Sequence, residues 1–175
     1  MKQERLELLR ARKFTVERRQ YDVPGHGPVQ RELVVHPGAV LILPLLADGR
    51  VVMIRNYRFS VDQWLLELPA GTLEAAEQPI RCAARELEEE TGYLAEELTP
   101  LCRFYTTPGF TNELMHVFVA TGLTHKGQNC EAEEQIRIEV MPLDDALEAC
   151  ADGRIVDGKT IAALQVYHYQ QNKQP

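Results

Sequence analysis

The sequence lacks the features of a disulfide-stapled, membrane-spanning or nucleic-acid-binding protein. Its four cysteines are scattered with no Cys-x-x-Cys pair, so we expect reduced structural thiols in a cytoplasmic protein. No run approaches the ~18 consecutive apolar residues of a membrane span. Basic residues number 19 against 26 acidic ones, which argues against a nucleic-acid partner because phosphate binding needs a basic surface.

The excess of acidic residues is concentrated in one segment. The net charge is −7, and residues 71–97 carry −6 of it through eight glutamates and two arginines. The 175 residues, 45% of them hydrophobic, suit one globular domain. We expect a single domain in which residues 1–35 form an N-terminal extension and residues 36–175 form the main body.

Apolar runs separated by turn signals predict an α+β architecture that is mostly sheet. Pro79 suits the first turn of a helix, and Gly92 suits its left-handed end. The predicted helices are 1–13, 79–91, 143–151 and 160–170. The predicted strands are 14–21, 29–35, 39–46, 51–54, 64–68, 103–106, 114–120 and 136–141.

The helix before Gly92 carries an unusual cluster of carboxylates. At ~100° per residue, Glu86, Glu89 and Glu90 share one face while Glu88 points away from it. A solvated acidic helix would normally place Lys or Arg four residues further on, and this helix does not. Divalent cations such as Mg²⁺ or Mn²⁺, which prefer oxygen ligands, would relieve the repulsion. Spacing alone leaves a solvated face and a metal site both open.

The segment around this helix resembles the complete Nudix box. Tyr93 stands where the pattern usually has an aliphatic residue, and the charged and glycine positions are all present. The matching residues are Gly71, Glu77, Arg85-Glu86-Leu87, Glu89-Glu90 and Gly92. The resemblance implies the Nudix fold, a mixed β-sheet sandwiched between α-helices, and hydrolysis of a nucleoside diphosphate linked to another group.

The resemblance also implies roles for individual residues. Glu86 and Glu90 would bind two to three Mg²⁺ ions, with Mn²⁺ as an alternative. Glu89 would be a further ligand or would orient the water, and the carbonyl of Ala70 would complete the ligand set. The remaining box positions are structural: Gly71, Glu77, Arg85 and Gly92. Among them, Arg85 is expected to pair with Glu77 and to fix the preceding loop.

Features outside the box are similar to those of the ADP-ribose and ADP-sugar pyrophosphatases. Residues 66–71 resemble the run that leads into the box in that subfamily, and Pro108 matches its marker proline, fifteen positions after Tyr93. This likeness implies cleavage of ADP-ribose, or of a related nucleoside diphosphate sugar, to a nucleoside monophosphate and a sugar phosphate. The alternatives are a GDP-mannose or dinucleotide Nudix pyrophosphatase and a non-catalytic nucleotide-sensing domain.

The candidate substrate residues are Arg31, Arg58, Pro108 and Glu113. Guanidinium groups match phosphate oxygens in a bidentate fork, which favours the two arginines as phosphate clamps, although either could lie at the surface. Glu113 could contact a ribose hydroxyl. Trp64 could stack on a base, but its position in a strand favours the core.

A second acidic cluster, Glu131, Glu133 and Glu134, precedes the strand at 136–141. The resemblance implies a catalytic carboxylate in this loop, and the spacing to the strand favours Glu134, with Glu133 as a substitute and a solvated loop as the alternative. Members of the subfamily are commonly homodimers in which N-terminal strands cross to the partner. Residues 1–35 are long enough for that role.

Overall fold

The computed structural model describes residues 5–127 and 135–173 of the chain. The strands within them are β1 Arg5–Arg10, β2 Thr15–Val23, β3 Gly27–Val35, β4 Ala39–Pro44, β5 Arg50–Arg58, β6 Gln63–Glu67, β7 Ala70–Thr72, β8 Tyr93–Leu94, β9 Glu97–Tyr105, β10 Leu114–Thr121, β11 Thr124–His125 and β12 Ile136–Pro142. The helices are α1 Pro79–Thr91, α2 Leu143–Asp152 and α3 Gly158–Gln171.

Strand β4 explains the layering, because both of its faces are covered. Leu41 and Leu43 pack on one face with residues of α2 and α3. Val40 and Ile42 pack on the other face with residues of α1. A strand that is buried on both faces reads as a continuous apolar run rather than an alternating one, as this segment does. The predicted sandwich of sheet between helices is therefore confirmed.

Within the described residues the strands form two central sheets, a three-stranded N-terminal sheet and a two-stranded one. The order β7-β4-β10-β9 is mixed, because β4 and β10 run parallel while the other neighbours are antiparallel. The order β12-β5-β6 is antiparallel throughout. Strands β8 and β11 pair separately, and β1, β2 and β3 form an antiparallel sheet at the N-terminus. Three short strands, β7, β8 and β11, were not predicted.

The N-terminal helix predicted for residues 1–13 is wrong over its described part. Residues Arg5–Arg10 form β1, which pairs with β2. The charged and apolar side chains alternate from Arg5 to Leu8, which is the period of a strand, and β2 supplies the hydrogen-bonding partner that makes a strand stable. This pairing partner is a tertiary feature, and a short isolated helix would gain nothing comparable in water.

Helix α1 begins and ends as predicted, with Pro79 in its first turn and Gly92 in the left-handed region at φ 70°. Helical periodicity predicts that Ile80, Ala83, Ala84 and Leu87 all face the core, but only Ala83 and Leu87 of these are buried, and Ile80 and Ala84 are exposed. The core position favoured for Trp64 was also wrong: the side chain is 36% exposed, and the guanidinium of Arg137 lies 4.6 Å above its ring. Of the helices in the described residues, none has the length and apolar character to cross a membrane.

Candidate active site

A cavity of about 1160 Å³ lies where the N-terminal sheet meets β7 and α1. It is lined by residues 10–15 between β1 and β2, by the loop and helix from Ala70 to Glu90, by residues of β5 and α3, and by residues within 35–39 and 106–115. Carboxylates and cations share its wall. The carboxylates include Glu86, Glu89 and Glu90, and the basic side chains include Arg10, Arg58 and Lys159. A polar cavity with both signs of charge suits an anionic ligand that binds together with cations.

Gly71 lies in β7 opposite Val40 of β4, and it is the residue that lets Glu86 reach the cavity. A Cβ atom at position 71 would stand 1.8 Å from Cδ and 1.9 Å from Oε1 of Glu86. Gly71 is not among the glycines with positive φ, so space and not backbone conformation requires glycine here. Helix α1 and strand β7 therefore approach each other closely at the carboxylate of Glu86, which is only 9% exposed.

Glu90, one turn along the same face of α1, joins the helix to the segment that precedes Gly71. Its Oε2 accepts a hydrogen bond from the backbone N–H of Ala70 at 2.9 Å. Glu90 is 2% exposed, while Glu88 on the opposite face is exposed to solvent. The predicted division of the glutamates between a cavity face and a solvent face is therefore present in the structure.

Arg85 holds the acidic cluster together. Its Nε and Nη2 donate to the two carboxylate oxygens of Glu77 at 3.1 Å each, and its Nη1 donates to Glu86 at 2.8 Å and to Glu89 at 2.9 Å. The hydrogen bonds from Arg85 lower the pKa of Glu77 to about 2, and a bond from the N–H of Glu74 adds to the effect. The loop before α1 is thus fixed to the helix by the pair that the sequence predicted.

The donor set of this cluster suits a hard divalent cation. Glu86, Glu89, Glu90 and Ala70 line one wall and offer only oxygen ligands, which Mg²⁺ and Mn²⁺ prefer. In the described ranges, no three acidic, imidazole or thiol side chains are arranged to hold an ion as they stand. Nη1 of Arg85 forms ion pairs with Glu86 at 2.8 Å and with Glu89 at 2.9 Å.

Arg58 enters the cavity wall from the end of β5. Its Nε and Nη2 form a bidentate pair with Glu67 at 2.8 and 2.5 Å. Burial would raise the pKa of Glu67, but the hydrogen bonds from Arg58 and the charge of Lys159 outweigh burial and hold that pKa below its usual value. Glu67 is therefore a buried, ionised carboxylate, and the guanidinium of Arg58 is anchored on it.

Glu113 also lines the cavity, on the side of the N-terminal sheet. Its Oε2 accepts a hydrogen bond from the hydroxyl of Thr106 at 2.6 Å, and its Oε1 lies 3.6 Å from Nδ1 of His36. The N–H of Gly38 donates to the same Nδ1 at 3.1 Å. These contacts fix the carboxylate at the edge of the cavity, opposite the acidic face of α1.

The structure does not bring every candidate residue into this cavity. Arg31 is exposed on β3 and donates to the carbonyl of Gln30, and Pro108 is exposed in the loop after β9; neither lines the cavity. The loop candidates Glu133 and Glu134, with Glu131, lie outside the described residues.

Sequence reasoning missed several residues of the wall region, among them Glu67 and Lys159. A signal for Glu67 was present: it is a charged residue between Leu66 and Leu68 in an apolar strand, and a charge at such a position is seldom buried without a partner. The partner Lys159 had only a weak signal, its place beside Asp157 at the start of a helix. The basic residues Arg10, Arg12 and Lys13 were also missed, because their segment was assigned to a helix.

Comparison with known sequences places most of this chain in one family. The family model for the NUDIX domain matches residues 35–164. A protein of Bacillus subtilis (strain 168) named ADP-ribose pyrophosphatase is 41% identical over 146 residues, which cover 82% of this chain and 79% of the relative. A protein of Bacillus methanolicus named methanol dehydrogenase activator is 38% identical over 152 residues, or 86% of this chain and 82% of the relative.

A solved structure gives the same answer for the fold. The crystal structure of an ADP compounds hydrolase superposes with a TM-score of 0.80 and covers 98% of this chain and 95% of its own. The two sequences are 24% identical, so this likeness concerns the fold alone.

Proposed function

The chain belongs to the Nudix family, and on that premise we propose that it hydrolyses the diphosphate bond of ADP-ribose or a related nucleoside diphosphate sugar. The products would be a nucleoside monophosphate and a sugar phosphate, with one water consumed. The name of the Bacillus subtilis relative supports this substrate class. The run that leads into the box, residues 66–71, and Pro108 support it from within the sequence.

The observation that carries the proposal is the composition of the cavity wall. Three carboxylates of α1 and Ala70 stand in the same cavity as the basic side chains of Arg10, Arg12, Lys13, Arg58 and Lys159. A diphosphate carries negative charge that must be neutralised from two sides, by bound cations and by basic side chains. The acidic side chains of the wall can bind the cations, and the basic side chains can bind phosphate oxygens directly.

We assign cation binding to Glu86, Glu89, Glu90 and the carbonyl of Ala70. Nudix hydrolases generally depend on a divalent metal ion, and Mg²⁺ or Mn²⁺ suits these oxygen donors. When bound, such ions neutralise phosphate charge and lower the pKa of a coordinated water. Gly71 permits the approach of Glu86, and Ala70 holds Glu90, so the chain itself sets where the carboxylates stand.

The remaining steps belong to other side chains of this chain. A carboxylate accepts the proton of the attacking water, and we assign this role to Glu134, with Glu133 and Glu89 as the other candidates. Arg58, anchored on Glu67, binds phosphate oxygens. Glu113 is assigned to a ribose hydroxyl. Arg31 and Pro108 are assigned to the substrate only through the family pattern.

We also propose a homodimer in which the N-terminal extension, residues 1–35, crosses to a second copy. The exposed apolar side chains Leu6, Leu8 and Leu9 of β1 support it, since they lack cover within one chain. Light scattering at micromolar concentration would show twice the monomer mass of 19.9 kDa. A monomer mass at all concentrations would contradict the dimer.

The test of the function is a phosphate-release screen in Mg²⁺ with an added phosphatase. The substrates would be ADP-ribose, GDP-mannose, NADH, diadenosine polyphosphates and UDP-sugars. Chromatography of parallel reactions without the phosphatase would identify the nucleotide product. We expect AMP from ADP-ribose at the highest kcat/KM, and no turnover after chelation of the metal. A higher kcat/KM for GDP-mannose would make GDP-mannose, and not ADP-ribose, the preferred substrate. No turnover of any compound would favour a nucleotide sensor.

Two glutamates of α1 give a matched pair for the same screen. Glu90→Gln removes a cavity carboxylate, and we expect a loss of kcat of at least about 10³-fold, as for loss of a major electrostatic group. Glu88→Gln removes the same charge from the solvent face of the same helix and should retain activity. Equal activity of the two variants would contradict the assignment of the metal site. Circular dichroism would confirm that both are folded.

A further inference from the structure

The carboxylate of Glu67 lies beneath the cavity wall and is fully buried. It joins two cations from distant parts of the sequence: Arg58 at the end of β5 and Lys159 in the first turn of α3. Oε2 of Glu67 accepts from Nη2 of Arg58 at 2.5 Å and from Nζ of Lys159 at 2.7 Å. Both cations line the cavity, while the carboxylate between them does not.

Lys159 is itself held in place. Its Nζ lies 2.8 Å from Oδ1 of Asp157, and the other oxygen of Asp157 accepts from the N–H and the hydroxyl of Thr160. The same hydroxyl accepts a hydrogen bond from the N–H of Leu68, the residue after Glu67, at 2.9 Å. The first turn of α3 therefore contacts two adjacent residues at the end of β6: Glu67 through an ion pair and Leu68 through its backbone N–H.

The guanidinium of Arg58 is oriented by its hydrogen bonds to this carboxylate. It uses Nε and Nη2 on Glu67, and Nη1 takes no part in that pair. A fork of this kind has one favoured orientation, so a shift of the carboxylate turns the remaining N–H groups of the guanidinium as well. Oε2 of Glu67 accepts from both Arg58 and Lys159. Lys159 therefore helps to hold the carboxylate in the position that orients Arg58.

We propose that Lys159 is a positioning residue for diphosphate binding, acting through the buried Glu67 to orient the guanidinium of Arg58 into the cavity. The inference rests on the proposed function, in which Arg58 binds phosphate oxygens. Without Lys159, the carboxylate of Glu67 keeps a single cationic partner. Oε2 of Glu67 then loses the contact that holds it towards α3, so the carboxylate can turn, and Arg58, which follows it, presents its remaining N–H groups less well to a ligand.

The test is a double-mutant cycle on Arg58 and Lys159, read out by binding rather than by turnover. The probe is methylenediphosphonate, a diphosphate that cannot be hydrolysed, titrated calorimetrically in Mg²⁺. Arg58→Met, Lys159→Met and the double variant are compared with wild type. We expect each single variant to weaken binding by roughly ten- to a hundredfold, the range for a charged hydrogen bond, and the double variant to be no weaker than Arg58→Met. Lys159→Arg, which retains the charge, should restore most of the affinity.

The possible results separate this inference from simpler roles. If the losses in the double variant multiply, Lys159 binds the anion itself and the inference is overturned. Unchanged binding in a folded Lys159→Met would overturn it too, as would a wild type that does not bind the probe. If Lys159→Met does not fold, Lys159→Gln takes its place, since it keeps one hydrogen-bond donor without charge. Wild type that binds the probe but cleaves no nucleoside diphosphate sugar would overturn the proposed function alone.

Discussion

Replacing Gly71 by alanine adds one methyl group at the closest approach between β7 and α1. The new Cβ would stand 1.8 Å from Cδ of Glu86, where an ordinary contact begins at 3.4 Å. The carboxyl group would therefore have to retreat by roughly 1.6 Å, since atoms this close repel steeply. The carboxylate is the movable partner, because the methyl group is fixed to the backbone of a strand that pairs with β4.

The retreat of Glu86 should affect activity more than stability. A misplacement of about 1 Å in a catalytic group can cost about 100-fold in rate, which is about 2.7 kcal/mol of transition-state stabilisation. Because Gly71 has no positive φ, alanine brings no backbone strain. We expect a loss of stability of about 1–2 kcal/mol, from overpacking and from the disturbed hydrogen bond to Arg85 at 2.8 Å.

The assay is steady-state hydrolysis of the best substrate from the screen, paired with urea unfolding. Gly109→Ala is the matched control, because a Cβ at position 109 meets nothing within 4 Å and the glycine has an ordinary φ. Gly71→Ala should lose about 100-fold in kcat/KM while Gly109→Ala keeps wild-type activity. The reasoning would be refuted if Gly71→Ala retained wild-type kcat/KM or if the two variants lost activity equally.

Two further predictions follow from pKa values. The pKa of Glu77 falls from 4.5 to about 2 through Arg85, so this pair stabilises the folded state above about pH 4.5 and ceases to do so as the pH falls towards 2. The difference in unfolding free energy between wild type and Glu77→Gln, from urea titrations at several pH values, should shrink across that range; a constant difference would argue against the pair. Burial raises the pKa of the Cys82 thiol to about 12, so iodoacetamide at pH 8 should label Cys82 slowly in native protein and quickly in urea, by peptide mass spectrometry. Equal rates would contradict its burial.

The helix of the box could be predicted in detail because every relevant signal is local. Pro79 and Gly92 mark its ends, and the 3.6-residue period alone separates Glu88 from the cavity glutamates. The pair between Arg85 and Glu77 spans eight residues and was also predictable from the family pattern. Trp64 shows the limit: strand propensity indicates that a side chain belongs to a sheet, but not whether the covering layer extends over it.

The pairing of β1 with β2 and the contact between Glu67 and Lys159 could not be predicted from the sequence, and the physical reason is the same for both. Strand β1 exists because β2 offers its backbone partners, and no property of residues 5–10 alone reveals that surface. Glu67 and Lys159 are 92 residues apart and meet only because α3 docks its first turn on β6. Contacts of this kind depend on the packing of whole elements.

Local sequence signals account for the chemical groups of the site: a helix with three carboxylates on one face, a glycine before the helix, and an arginine that pairs with the carboxylates. These are consequences of helical periodicity and side-chain charge, which operate over a few residues. The packing of distant elements places Gly71 against Glu86, places Arg58 on a buried Glu67, and brings residues 10–15 to the wall of the cavity. Such distances follow from how sheets and helices pack, and packing couples residues that the chain keeps far apart.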